Sequence, residues 1–404
     1  TRFRTQHNAY FAIFVENLAA YESFDLTDAV ERFQLIDQQG RRSRGSLLEE
    51  PPPRVITTSS NGRSLIQALS CTLAFPLAGR LLTALAGATG LLVTAGFAFN
   101  EIFLYWFPNF IFAFLLLGGL VAIQLGGHRL AQIFQAIFIA IAVGGLMVLI
   151  LIALTGPATH IIQVGGAGSD ISIRSWSSLL LLFVGVDLAL LNTSTERAVA
   201  GRVMTGGVLA AALLFALWGW AAVRHVPLQR LSDTTIAPIL VAKQAWGQYG
   251  RYTMGVVTIA GTLAAINALF TMVTATFKSW GQLLGHDISP GPPVFSAVLL
   301  GAVTAALMAC GMAGTEAIDV ALRAGLVLWL LHYALVPLLQ RMQGFLSMLA
   351  GGGAVASAAA FGIGDPDRDL LLIFMLIAMG GAAMVAAGWR GWHRWVNQNE
   401  RSSQ

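Results

Sequence analysis

From residue 64 onwards the chain is a succession of long apolar segments, and this feature restricts its fold more than any other. An α-helix needs about 20 predominantly apolar residues to cross a bilayer. Segments of about that length recur between the Gly, Pro, Asn or charged residues that close helices. They are 81–106, 107–125, 130–154, 176–195, 205–226, 254–280, 292–312, 316–340, 345–364 and 370–389, preceded by a shorter segment at 64–79. The pattern predicts an all-α integral membrane protein with about 10–11 transmembrane helices.

The composition supports this class of protein and excludes several others. Hydrophobic residues make up 56% of the chain and charged residues 11%, whereas about one quarter of an ordinary soluble domain is charged. The net charge of +4 comes from scattered residues without the basic runs that bind nucleic acid. Cys71 and Cys310 lie in apolar segments and the histidines are dispersed, so neither a disulfide framework nor a metal site is expected. Without a nucleophile and base pair or a zinc motif, we expect no enzymatic activity.

The distribution of polar residues divides the chain into three parts. Residues 1–62 are charged, end in a proline run and contain no apolar stretch long enough to span a bilayer. We interpret them as a polar N-terminal segment, expected in the cytoplasm, with a short amphipathic helix in 17–36 and a linker. A regulatory domain is the alternative. Residues 63–390 form the predicted transmembrane domain, and 391–404 a cytoplasmic tail.

The orientation is predicted from basic residues in short loops, which favour the cytoplasmic side. If Arg80 is cytoplasmic, strict alternation puts Arg129, Arg197, Lys278, Arg341 and the C-terminal arginines on the same side. The long connection 225–253 also carries basic residues, but long loops count less in this rule. We expect a multi-pass protein of a bacterial inner (plasma) membrane with a cytoplasmic C-terminus.

One apolar span contains a carboxylate. In FVGVDLALLNTSTE, residues 183–196, Asp187 follows Gly185 closely, and a charged residue at bilayer depth costs roughly 2.5–3.5 kcal/mol on insertion scales. Gly185 can end one half-helix and Asp187 can cap a second. Such a break exposes main-chain dipoles, which are tolerated only beside a protein cavity, where they can bind a polar ligand. We predict a substrate pocket formed by Phe183, Val184, Gly185, Val186 and Asp187; a structural capping role for Asp187 is the alternative.

Further polar residues lie in other spans. Asn267 and Thr271 are one helical turn apart in the span 254–280 and are candidate substrate ligands. Hydrogen bonding between helices without a ligand is the alternative for both residues. Glu101 either carries a proton within the membrane or lies at a helix end near the membrane surface.

The stretch 183–211 resembles the sixth transmembrane segment and following loop of the amino acid, polyamine and organocation (APC) superfamily of permeases. The matching residues are Phe183, Gly185, Asp187, Glu196 and Arg202, whereas the Asn-Pro pair of the family pattern is replaced by Ala200-Gly201.

A second stretch, 258–290, is similar to the eighth segment of the same family. The matching residues are Asn267, Lys278, Trp280, Asp287 and Pro290. Stretches 74–80, 124–141 and 292–303 resemble further family segments, in the family's order.

The resemblance implies an APC-type inverted-repeat (5+5) bundle that is N-terminally incomplete, because no glycine-interrupted first segment is found. It implies secondary active transport of an amino acid or related amine by alternating access, without a cofactor. The expected partners are this small-molecule substrate and the lipid bilayer. The coupling ion (H⁺ or Na⁺), transport direction and oligomeric state are left open. The alternative is a transport-inactive membrane scaffold or a fragment of a longer permease, as the missing initial Met suggests.

Overall fold

The computed structural model describes residues 60–157, 197–234, 236–283, 292–339, 345–382 and 384. Helices occupy most of these residues, and no strand occurs among them. The helices are α1 (Ser60–Ile102), α2 (Asn109–Leu125), α3 (His128–Thr155), α4 (Arg197–His225), α5 (Leu228–Asp233), α6 (Ala237–Leu283), α7 (Pro292–Ala309), α8 (Glu316–Leu339) and α9 (Phe345–Gly364). A further helical stretch, 368–382, is called α10. The all-α class is confirmed for the described part of the chain.

Four helices in the described ranges are long and apolar enough to cross a membrane. They are Ala78–Ile102, His128–Thr155, Thr205–His225 and Ala237–Phe277. Three shorter apolar helices are Asn109–Leu125, Phe295–Ala309 and Gly352–Gly364. These helices agree with the predicted membrane-protein character. The predicted span 176–195 lies outside the described residues.

The predicted boundary between 64–79 and 81–106 is wrong, because one helix of 43 residues, α1, runs through it. Arg80, expected in a short loop, lies inside α1 with only 5% of its surface exposed. Its Nη1 atom donates to Thr276 Oγ1 of α6 at 2.8 Å, and its guanidinium carbon lies 5.6 Å from the ring centroid of Trp329 in α8. Neighbouring helices therefore accommodate the charge, and α1 need not end there. Because Arg80 does not lie in a loop, it cannot be used to predict the orientation of the chain in the membrane.

The predicted long connection 225–253 contains α5 and the first part of α6. Ile239, Val241 and Ala242 are buried here, whereas Lys243 and Gln244 are exposed, so this part of α6 has one apolar and one polar face. The backbone leaves the helical conformation at Trp246 and at Gly247, where φ is 60°. A positive φ strongly favours glycine. Gly247 therefore permits the kink that separates this amphipathic stretch from the long remainder of α6.

Basic residues in this region bind the ends of other helices. Arg224 donates to Leu154 O at 2.6 Å and to Gly156 O at 2.8 Å, at the C-terminus of α3. The His225 ring Nε2 lies 2.7 Å from Ala153 O. The last carbonyls of a helix lack partners within the helix and carry partial negative charge. Arg224 and His225 therefore cap the C-terminus of α3.

The largest apolar core lies where α1, α6 and α8 meet. Its buried residues include Ala84, Ala88 and Leu92 of α1, Ala264, Ile266 and Phe270 of α6, and Leu322 and Leu326 of α8. Two glycines bring α1 and α8 close together. A Cβ atom on Gly325 would lie 2.4 Å from Thr83 Oγ1 and 3.2 Å from Gly79 O. This crossing thus has no room for a side chain at Gly325.

We expect Gly325→Ala to destabilise the fold, because overpacking of a close-packed interior costs about 1–3 kcal/mol. The measurement is the free energy of unfolding in mixed detergent micelles. Gly353 of α9 is the matched control, since a Cβ there meets no atom within 4 Å; Gly353→Ala should stabilise its helix by up to about 1 kcal/mol. Adding Thr83→Ala should restore part of the loss. Equal stability of both single variants would contradict the proposed close contact.

Candidate functional site

The predicted site is described only in part. Phe183, Val184, Gly185, Val186 and Asp187 lie outside the described residues. Asn267 and Thr271 lie in the long second part of α6. The site can therefore be built from these two residues and the helices that α6 contacts.

Asn267 is the centre of a chain of side-chain amides that joins three helices. Its Nδ2 atom donates to Gln135 Oε1 at 2.7 Å and to the main-chain oxygen of Ala131 at 3.0 Å, both in α3. Its Oδ1 atom accepts from Nε2 of Gln124, the penultimate residue of α2, at 2.6 Å. We call the side chains of Gln124, Gln135 and Asn267 the amide cluster. The cluster ties the turn between α2 and α3 to α6.

Two main-chain carbonyls determine the direction of these hydrogen bonds. A carbonyl only accepts, so the Asn267 atom facing Ala131 O must be the nitrogen. Gln124 Nε2 also lies 3.3 Å from the main-chain oxygen of Asn267, which likewise requires a donor. With Asn267 oriented, the Gln135 atom that accepts from it must be the oxygen. The assignment of oxygen and nitrogen is thus set by the local geometry.

The amide cluster is enclosed by apolar helices. Gln135 is fully buried and 1% of Asn267 is exposed. Gln135 shares the buried face of α3 with Ala131, Ile139 and Ala142. A buried polar group is costly unless it is hydrogen-bonded. Asn267 meets this condition at both amide atoms, and Gln135 meets it at its oxygen. These contacts are hydrogen bonds between helices, and the predicted role of Asn267 as a substrate ligand stays a prediction.

Thr271 lies beside the amide cluster on the next turn of α6 and is half-buried. Its hydroxyl donates to the main-chain oxygen of Asn267 at 2.9 Å. The hydroxyl oxygen keeps acceptor capacity, since a hydroxyl has two lone pairs. Thr271 can therefore accept a hydrogen bond from a ligand, whereas both Asn267 amide hydrogens are already used.

The chemistry of the amide cluster is limited to hydrogen bonding. Gln135 Nε2 is a buried donor without a hydrogen-bond partner. Amides do not titrate near neutral pH, so these side chains cannot carry protons. Within the described ranges, no group of three or more His, Cys, Asp or Glu residues could hold a metal ion. Glu101 lies one residue before the end of α1 and is exposed, which agrees with one of its two predicted alternatives, a position at a helix end.

Sequence reasoning identified Asn267 but missed its glutamine partners. Gln135 carried a usable signal, because it is a polar residue on an otherwise apolar, helix-periodic face. Gln124, at the end of α2, carried no comparable signal. Arg323 of α8 was also missed; it forms a buried ion-pair network with Asp319, Asp365 and Asp367.

The helices and the amide cluster define the class of protein: a helical chain with several membrane-capable helices joined internally by buried polar contacts. Comparison with known proteins adds no narrower assignment. A scan against protein-family models finds no match, and a search of curated proteins finds no significant match.

Proposed function

We propose that this chain is a secondary transporter that moves an amino acid or related amine across a membrane by alternating access. The substrate would bind at the helix break predicted around Gly185, in an APC-type inverted-repeat bundle. The observation that best supports this proposal is the buried amide cluster between α2, α3 and α6. Polar side chains inside apolar membrane helices are costly and commonly mark a substrate pathway.

The two described candidate residues take different roles in this proposal. Asn267 has both amide hydrogens engaged with α3, so it acts as a positioning residue that holds α6 against α2 and α3. Thr271 is the proposed substrate contact, because its hydroxyl oxygen can accept a hydrogen bond from an ammonium group. The carboxylate at Asp187 and the main-chain groups around Gly185 would supply the remaining polar contacts.

Uptake into vesicles reconstituted with the full chain tests the proposal. We expect accumulation of at least one radiolabelled compound from a panel of the common amino acids and putrescine. Thr271→Val should raise KM for that compound about tenfold, which corresponds to about 1.4 kcal/mol of lost binding. Thr258→Val is the matched control, since Thr258 makes the same bond to its own helix, to Met254 O at 2.8 Å, and should leave KM unchanged.

Two results would contradict this proposal. If correctly folded protein takes up no compound of the panel, the transport-inactive scaffold becomes the better interpretation. If uptake occurs but both threonine variants behave alike, transport stands and Thr271 is not the substrate contact.

A further inference from the structure

A buried network of charges joins α8 to the connection between α9 and α10. Arg323 Nη1 donates to Asp365 Oδ2, and Nη2 donates to Asp367 Oδ2 at 3.0 Å. Nη2 also lies 3.5 Å from Asp319 Oδ2, one turn earlier in α8. Asp365 and Asp367 follow Arg323 by 42 and 44 residues in the chain. The network therefore fixes the first two turns of α8 to a distant segment.

The network is buried in its centre and partly exposed at its edge. Arg323 and Asp365 are each 4% exposed, whereas Asp319 is 27% and Asp367 25% exposed. Charges in the centre depend on their partners, because burial removes the water that would otherwise solvate them. The two outer carboxylates are only partly enclosed by the protein, so fewer contacts hold them in place than hold the central pair.

Each side of the network has a partner on its own segment. Asp319 is four residues before Arg323 on α8, so the guanidinium keeps a carboxylate when the connection moves away. Asp365 Oδ1 accepts from the main-chain nitrogen of Asp367 at 2.9 Å, within the connection itself. One guanidinium thus faces three carboxylates, of which one belongs to its own helix. Separation leaves neither Arg323 nor Asp365 without a polar contact.

Helix α8 contacts α10 and α1 in different ways. Val320 and Ala324 pack on Leu371 of α10 through apolar side chains, and Leu82 of α1 packs against the same cluster. On its other side α8 meets α1 at Gly325, with backbone in close contact. The contact with α1 is close-packed and specific. The backbones of α8 and α1 thus approach each other directly at this crossing, whereas the contact of α8 with α10 is made through side chains.

We propose that Asp365 and Asp367 form a latch on Arg323, with an open state in which Arg323 pairs with Asp319 alone. Closed, the latch holds the start of α8 against the connection 365–367. Open, α8 and α1 stay together while this connection and the start of α10 separate from them. The latch does not depend on the proposed transport function, because it is a statement about which contact between helices opens first.

Hydrogen–deuterium exchange of the full chain in lipid nanodiscs tests the latch. Asp365→Asn keeps the size of the side chain and its acceptor oxygen but removes the charge. We expect exchange to rise at least tenfold in 316–323 and 365–371, with α1 and α6 unchanged. Asp319→Asn leaves both carboxylates of the latch in place and removes the charge that Arg323 would keep beside it in the open state. Exchange in both segments should be unchanged or slower.

Three results would overturn the latch. They are unchanged exchange in Asp365→Asn, an equal rise in every helix, or a larger rise in Asp319→Asn than in Asp365→Asn. If Asp365→Asn fails to fold, Asp367→Asn takes its place. Because Asp367 is 25% exposed, that variant should give a smaller rise confined to the same two segments, and a rise elsewhere counts against the latch.

Discussion

Arg323→Met is expected to destabilise the fold more than any other substitution considered, by about 3–5 kcal/mol. Methionine fills a similar volume, so the change isolates the charge. Asp365, which is 4% exposed, would be left buried beside two further carboxylates without its cation. Removing one partner of a buried ion pair leaves an uncompensated buried charge. The measurement is the free energy of unfolding in mixed detergent micelles.

Arg368→Met is the matched control for this prediction. Arg368 is 65% exposed and its nearest carboxylate, Asp369, is 91% exposed at 3.7 Å. Water and salt screen such surface pairs, so unfolding should be unchanged within error. Adding Asp365→Asn to Arg323→Met should recover part of the loss, because one of the buried negative charges is removed. Equal losses of unfolding free energy in the two arginine variants would show that the buried network stabilises the fold no more than a surface ion pair does.

Asn267→Leu is expected to have the second-largest effect, because Asn267 is the centre of the amide cluster. Leucine removes the donor to Gln135 Oε1 and the acceptor of Gln124 Nε2 together. Each buried polar group left without a partner costs about 1–3 kcal/mol. Gln124 keeps its weaker contact with the main-chain oxygen of Asn267 at 3.3 Å, so Gln135 bears most of the loss. The same unfolding measurement applies.

The double variant Asn267→Leu with Gln135→Leu separates lost hydrogen bonds from lost packing. Replacing both partners of a buried hydrogen bond by apolar groups can leave the free energy of unfolding nearly unchanged. The double variant should therefore be more stable than Asn267→Leu alone. Gln132→Leu is the matched control on α3, since Gln132 is half-buried and its Nε2 atom lies 2.9 Å from His128 Nε2 at the surface. If the losses of the two single substitutions add in the double variant, Asn267 stabilises the fold through the packing of its side chain rather than through the hydrogen bonds of its amide.

The positions of the apolar helices were predictable, because a segment's length and apolarity are properties of consecutive residues. The span predicted at 345–364 coincides with α9, and the span at 316–340 differs from α8 by one residue. Prediction failed where a polar residue was taken as a break. Arg80 was expected to end a helix, yet Thr276 and Trp329 receive its side chain and α1 continues. Those partners are about 200 and 250 residues away, beyond any local rule.

In the candidate site too, the sequence indicates which residue needs partners but not which residues those partners are. That Asn267 would need hydrogen-bond partners follows from its residue type in an apolar span. That the partners are Gln124 and Gln135 follows only from how α2 and α3 pack on α6. The ion-pair network escaped prediction for this reason as well, since Asp365 and Asp367 read as an ordinary polar connection until α8 brings Arg323 to them.

The sequence by itself determined the helical class and the membrane-capable character of this chain, because both depend on runs of neighbouring apolar residues. The tertiary structure decided which polar residues are buried and how their charges and hydrogen bonds are satisfied. The physical reason is that a polar group's burial depends on its partners, and here those partners are on other helices, far away in the chain.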